Sequence, residues 1–320
     1  MDEQYVIGVD MGGTNTAIGV VDARGSILLR RQVSTTDYNT GESYAHALGK
    51  AINEMVEQND LKGKIKGIGM GVPNGNMHDG TVEKAANIPW AKEVVVPLTK
   101  LVSEATKLKC KLTNDANAAA LGEMLYGVAK GMKDFMVITL GTGLGSGIVA
   151  NGQLIVGHDG FAGELGHSTL VRHNGRLCGC GRTGCLETYA SATGVARTAR
   201  EFLEMNPSEE TVLRDIIYRP ITSKDVFLAA EQGDKMAIKI FDFTAKMLGA
   251  ALCDFITFSS PQAIILFGGL AHAGKYLIEP LEKEIDEHIL NVYKGKTKLL
   301  ISSLNDAEAA ILGASALGWE

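Results

Sequence analysis

Long apolar runs, an excess of positive charge, extended polar stretches and a disulfide-scale cysteine content are all missing from this 320-residue chain. Without the apolar run there is no helical membrane span: residues 263–267 fall far short of the roughly 20 residues a bilayer requires. Lys and Arg number 31 against 37 Asp and Glu, a net charge of −6, and no basic tract supplies the electrostatic footprint of a nucleic-acid binder. A hydrophobic content of 45% and a charged content of 21% leave no segment with the low hydrophobicity and high charge of disorder. The acidic start MDEQYVIGVD has no basic region followed by an apolar one, so no secretory signal is expected. Five cysteines, an odd number with three clustered, suit a reducing compartment better than a disulfide framework, and the cytoplasm is the expected location. Cys110 and Cys253 stand in apolar surroundings and read as structural.

What the chain does have is concentrated in residues 163–187, GELGHSTLVRHNGRLCGCGRTGCLE. Cys178, Cys180 and Cys185, with His167 upstream, offer four nitrogen or sulfur ligands, the number a closed tetrahedral zinc site takes. Gly179, Gly181 and Gly184 allow the sharp turns that aim three sulfurs at one point. His173 is a rival fourth ligand.

A second device occurs twice. The strand-like residues 5–9 and 16–21 are joined by Asp10-Met-Gly-Gly-Thr-Asn, and residues 135–140 and 146–149 by Gly141-Thr-Gly-Leu-Gly145, with Asn151-Gly152 making the next tight turn. Each turn removes side chains so that backbone N–H groups can approach an anion, and the first places a carboxylate beside it. Ser146 stands where a dinucleotide fingerprint needs its third glycine, and a strand follows, so NAD is disfavoured. Residues 269–275 imitate a P-loop, but Tyr276 replaces the magnesium-holding Ser or Thr; residues 268–274 read instead as a loop against a nucleotide's base or ribose. Further helices are expected at 43–59, 98–106, 192–205, 237–258, 276–290 and 307–316, the last capped near Asn305-Asp306, and strands at 65–72, 109–113, 263–267 and 298–302. Thr113-Asn114-Asp115 falls at a strand-to-helix junction facing a cleft, where its side chains serve either as a helix cap or as site residues. The simplest architecture is two related α/β lobes with a cleft between the two glycine turns.

These residues resemble the ROK family of bacterial sugar kinases and repressors, within the actin-like ATPase superfamily. DMGGT, GVPNG, TNDANAAALGE, LGTGLGSG, GELGH, CGCGRTGCLE and FGGL occur in the family's order along the whole chain. The resemblance implies an α/β, two-lobed actin-like ATPase (ribonuclease H-like) fold with a nucleotide and sugar cleft between lobes. A smaller lobe is expected at 1–114 plus 305–320, and a larger one, carrying the zinc loop, at 115–304.

It also implies roles. Asp115 matches the catalytic base. Asn87, Asn114, Glu164, His167 and Glu187 match positions that hold sugar hydroxyls. Asp10 would organise Mg²⁺ on ATP, with Gly12, Gly13, Thr14, Thr142 and Gly143 donating to the phosphates and Gly268 and Gly269 lying against the nucleotide. His167, Cys178, Cys180 and Cys185 would hold the structural zinc. The His167–Cys178 interval is one residue longer than the family's commonest spacing, which keeps His173 in contention. The implied reaction is ATP-dependent phosphorylation of a hexose at its 6-hydroxyl, as in glycolysis. Glucose leads because the GELGH and cysteine motifs and both Glu are intact; N-acetylmannosamine, allose and fructose are alternatives. A sugar-responsive regulator is the other reading, but the family's repressors add an N-terminal helix-turn-helix, for which the first phosphate motif leaves no room here. A dimer or tetramer is expected.

Overall fold

The sequence YVIGVDM has almost no polar alternation, the pattern of a strand covered on both faces. In the computed structural model, which describes residues 3–216 and 218–319 apart from the side chains of 306 and 307, it forms the central strand β1 (Tyr5–Met11). Of the expected cap Asn305-Asp306, the Asp306 side chain lies outside what is described, as do the first two residues, Ile217 and Glu320.

From β1 the chain turns through the first glycine segment into antiparallel β2 (Asn15–Asp22) and then β3 (Ile27–Ser34). Helix α1 (Gly41–Gln58) starts at a capping box between Thr40 and Ser43 and buries Tyr44, Leu48, Ile52 and Met55. It supplies the crossover that a parallel neighbour needs, and β4 (Ile65–Gly71) duly pairs parallel with β1. A small antiparallel sheet of β5 (Gly75–Asn76), β6 (Thr81–Glu83) and β7 (Val95–Val96) intervenes. Helix α2 (Leu98–Thr106) then returns the chain to β8 (Cys110–Thr113), parallel to β4. The sheet order is β3-β2-β1-β4-β8. Helix α3 (Asp115–Leu125) follows β8 after a single residue, Asn114.

The plan then repeats. Strand β9 (Phe135–Leu140) leads through the second glycine turn into β10 (Leu144–Ala150), and Asn151-Gly152, both at positive φ, turn the chain into β11 (Gln153–Leu154). After the cysteine loop come α4 (Glu187–Ala190), α5 (Ala192–Met205), α6 (Ser223–Glu231) and the long, largely buried α7 (Lys235–Ser259). Strand β12 (Ala263–Phe267) pairs parallel with β9, α8 (Lys275–His288) crosses over, and β13 (Lys298–Ile301) pairs parallel with β12. The C-terminal helix is α9 (Asp306–Ala316).

Two compact units result. The first holds Met1–Met132, Gly147–Gly163 and Ser303–Glu320; the second holds Lys133–Ser146 and Glu164–Ser302. The residue pair 114/115 falls inside the first unit, because α3 packs on α9: a Cβ on Gly122 would come within 2.8 Å of Gly313 Cα. Helix α9 also lies directly on the sheet. A Cβ on Gly8 would stand 2.1 Å from the Ile311 carbonyl oxygen, and one on Gly69 1.9 Å from that of Ala314. Only glycine permits that approach.

Candidate active site

In the first unit the register sets Asp10 opposite Gly71 and Gly71 opposite Thr113, so the ends of three neighbouring parallel strands form one row. The carboxyl ends of parallel strands are where α/β sheets hold ligands. Asp115 begins α3 two residues past Thr113, and a Cβ on Gly71 would lie 3.9 Å from its Cα. The nearest neighbour of that Cβ would be the Ala118 side chain at 3.2 Å, so glycine there lets the start of α3, and Asp115 with it, lie close to the strand end.

Burial, and then the charge of Asp115, push the Asp10 carboxyl up to about 6. Asp115 keeps accessible surface, yet desolvation pushes its carboxyl up as well, opposed by the Ala116 N–H donating at 2.9 Å. Two neighbouring acids that resist ionisation are a common arrangement where a proton or a cation must be handled.

The first glycine turn is held by the Gly12 N–H donating to the Asn15 carbonyl at 3.0 Å and by the Thr35 N–H donating to the Thr14 carbonyl at 2.8 Å. Behind it Thr16, Thr35 and Tyr44 share hydroxyl hydrogen bonds, Tyr44 stacks on Trp90, and the Trp90 indole donates to the Thr35 carbonyl. Asn87 is brought to this turn: its Cβ is 3.6 Å from where a Gly13 side chain would begin. Asn114 serves the helix-cap alternative, its Oδ1 accepting from the Asn117 N–H at 2.7 Å, which leaves its amide nitrogen for other partners. Thr113 Oγ1 and Asn117 Oδ1 are buried with no hydrogen-bond partner among the described residues. They flank Asp115; the sequence placed Thr113 at the junction, but Asn117, inside an Ala-rich helical stretch, carries no local signal of a site.

In the second unit the glycine turn is anchored from α5. The Ala192 N–H donates to the Gly141 carbonyl at 2.9 Å and the Thr193 hydroxyl to that of Thr142 at 2.7 Å, while the Gly145 N–H donates to Thr139 Oγ1 at 3.0 Å. The N–H groups of Thr142 and Gly143 have no partner among the described residues. Gly268, at φ 98°, and Gly269 follow β12, and their neighbours line a cavity of about 430 Å³ that includes Thr142, Lys224, Phe227, Phe241, Gly269 and His272. Its size and its aromatic wall suit a flat heterocycle.

The cysteine loop closes as its spacing implies. The Sγ atoms of Cys178, Cys180 and Cys185 and a ring nitrogen of His167 lie within 4.8 Å of one another, and His173 is not in the group. A tetrahedral zinc, with sulfur at about 2.3 Å and nitrogen at about 2.0 Å, separates two sulfurs by about 3.8 Å and a sulfur and a nitrogen by about 3.6 Å. Cys180 and Cys185 Sγ are 3.7 Å apart, and Cys178 Sγ is 3.6 Å from His167 Nδ1. The donor set and its spacing fit that ion. Gly184, at φ 78°, sits against the Val171 carbonyl where no side chain fits.

Glu164 is exposed at the head of the turn that carries His167. Glu187 lies 3.8 Å from His167 Nδ1. Arg176 escaped the sequence reading because nothing in its spacing marks it. Its buried guanidinium donates to Thr188, Thr198 and Glu201 and stacks on Tyr189, clamping the loop to α4 and α5.

The ROK family model matches residues 6–320. A glucokinase of Halalkalibacterium halodurans is 35% identical over all of this chain and 95% of its own length, and one of Thermotoga maritima 34% identical over 99% and 98%. A ROK family glucokinase of Streptomyces griseus, solved in complex with glucose and AMPPNP, is 35% identical with a TM-score of 0.78 and 98% of each chain covered.

Proposed function

The chain belongs to the ROK family, and from that membership we propose that it transfers the γ-phosphoryl group of ATP to the 6-hydroxyl of a hexose, with glucose the preferred acceptor. The observation that carries this reading is the pair Asp10 and Asp115 at the ends of adjoining elements, both resisting ionisation. Asp115 takes the proton as the sugar oxygen attacks phosphorus; the new O–P bond forms as the bond to ADP breaks. A base whose pKa is lifted toward neutrality takes that proton more readily than an ordinary carboxylate. Asn87, Asn114, Glu164, His167 and Glu187 are assigned to the sugar hydroxyls.

Gly12, Gly13, Thr14, Thr142 and Gly143 are assigned to the phosphates, whose charge their backbone donors offset. Gly268 and Gly269 are assigned to the nucleoside beside the aromatic cavity. Asp10 would hold Mg²⁺, which neutralises phosphate charge when bound. His167, Cys178, Cys180 and Cys185 would hold zinc, which fixes the loop and leaves the second ring nitrogen of His167 for a hydroxyl. No helix among the described residues is long and apolar enough to cross a membrane. We assign the cytoplasm, where ATP and reduced thiols coexist, and a homodimer or homotetramer.

A coupled ADP-release assay over glucose, N-acetylmannosamine, allose and fructose tests the reading. Glucose should give the highest kcat/KM, and Asp115→Asn should lower kcat by about 10²- to 10⁴-fold with hexose binding retained. Near-normal turnover by that variant would reject the base assignment.

A further inference from the structure

We infer that Glu187 is a positioning residue that ties the metal cluster to the second glycine turn, so that nucleotide affinity depends on the cysteine loop. The inference rests on the reading of residues 141–145 as a phosphate-binding turn and goes beyond Glu187's assignment to the sugar. One carboxylate oxygen, Oε2, accepts from the Leu144 N–H at 3.2 Å. The other, Oε1, lies 3.1 Å from Cys178 Sγ and 3.8 Å from His167 Nδ1. A single side chain therefore touches two of the four cluster residues and the backbone of the turn. The fit is close: a Cβ on Gly143 would fall 2.5 Å from Oε2, so glycine at 143 serves the carboxylate as well as any phosphate.

The same segment reaches the turn by a second route. Glu187 opens α4 two residues after Cys185, and α4 runs into Ser191, which caps α5 by accepting from the Gly194 N–H at 3.1 Å. The first residues of α5 then hold the carbonyls of Gly141 and Thr142. With those two carbonyls and the Leu144 N–H all engaged from the 185–193 segment, the N–H groups of Thr142 and Gly143 are fixed in direction before any ligand arrives. Pre-oriented donors bind an anion without an ordering cost.

The test is AMPPNP titration by calorimetry in the absence of hexose, so that sugar contacts contribute nothing. Glu187→Ala should weaken binding about five- to tenfold, within the net worth of one intramolecular hydrogen bond. Glu187→Gln, which keeps a carbonyl acceptor for Leu144, should stay within about twofold of the parent. Glu187→Asp, too short to reach both sides, should fall between and serves as the second variant if the alanine protein does not fold. Glu187→Ala or Glu187→Asp with parental AMPPNP affinity and lost hexose binding overturns the inference and leaves Glu187 a sugar ligand alone. A parent protein without AMPPNP affinity overturns instead the phosphate-turn reading on which it stands.

Discussion

A carboxyl group that folding removes from water holds its proton longer than one left in solvent, and this sets the pH behaviour of Asp10 and Asp115. For Asp10, between the ordinary value of 3.8 and about 6, the folded state binds more protons than the unfolded one. Its contribution to stability is therefore lost as pH rises through that window. Without ligands, Asp10→Asn should melt at a higher temperature than the parent at pH 7 and at the same temperature near pH 4, as followed by circular dichroism. Activity runs the other way. Asp115 must be ionised to accept a proton, so kcat should fall on acidification at a pH above the usual carboxylate range, measured with saturating hexose and MgATP. Neither behaviour could be read from the sequence, which shows one aspartate in an apolar run and another after an asparagine but not what surrounds them once folded.

At the scale of elements, most helices and strands announce themselves. The bounds of α2, α5 and β12 coincide with their periodic runs, because amphipathic spacing is a local property. Strand β3 does not: Arg30 and Arg31 interrupt it, and its period shows only once Arg31 is seen paired with Glu54 across to α1. Helix α6 is also hidden, because its buried stripe is only Val226, Ala229 and Ala230 and is blurred by the exposed Leu228. The Ala-rich composition of α9 signals close packing, but its seat on β1 and β4 depends on Gly8 and Gly69, far away in the chain. Gly69→Ala should destabilise the protein by about 1–3 kcal/mol, as overpacking does. A urea midpoint unchanged from the parent's would contradict the seating of α9 on the strands.

For the whole molecule, both units follow one plan, in which a glycine turn leads out of a strand that has a parallel partner on its other edge. The first places one carboxylate at a strand end and another at a helix start; the second places the Cys/His cluster beside its turn. Purified protein should contain about one zinc per chain by elemental analysis. A chelator should then lower both the melting temperature and the hexose affinity, since metal binding to a site that exists only when folded adds to folding free energy. Full activity in metal-free protein would remove zinc from the account.

What the sequence determined alone is the chemistry that depends on neighbours in the chain: three thiols and an imidazole at ligand spacing, glycine turns able to face an anion, an Asn-Asp pair at a helix start. Backbone geometry fixes such groups within a few residues of one another, so residue type and spacing suffice. The tertiary structure decided the rest. It chose His167 over His173 for the cluster, set Asp10, Gly71 and Thr113 in one row, clamped the loop with Arg176, and placed Glu187 between the cluster and the turn. Those relations join segments that only strand register and helix packing bring together, and no local pattern records which distant partner a side chain will meet.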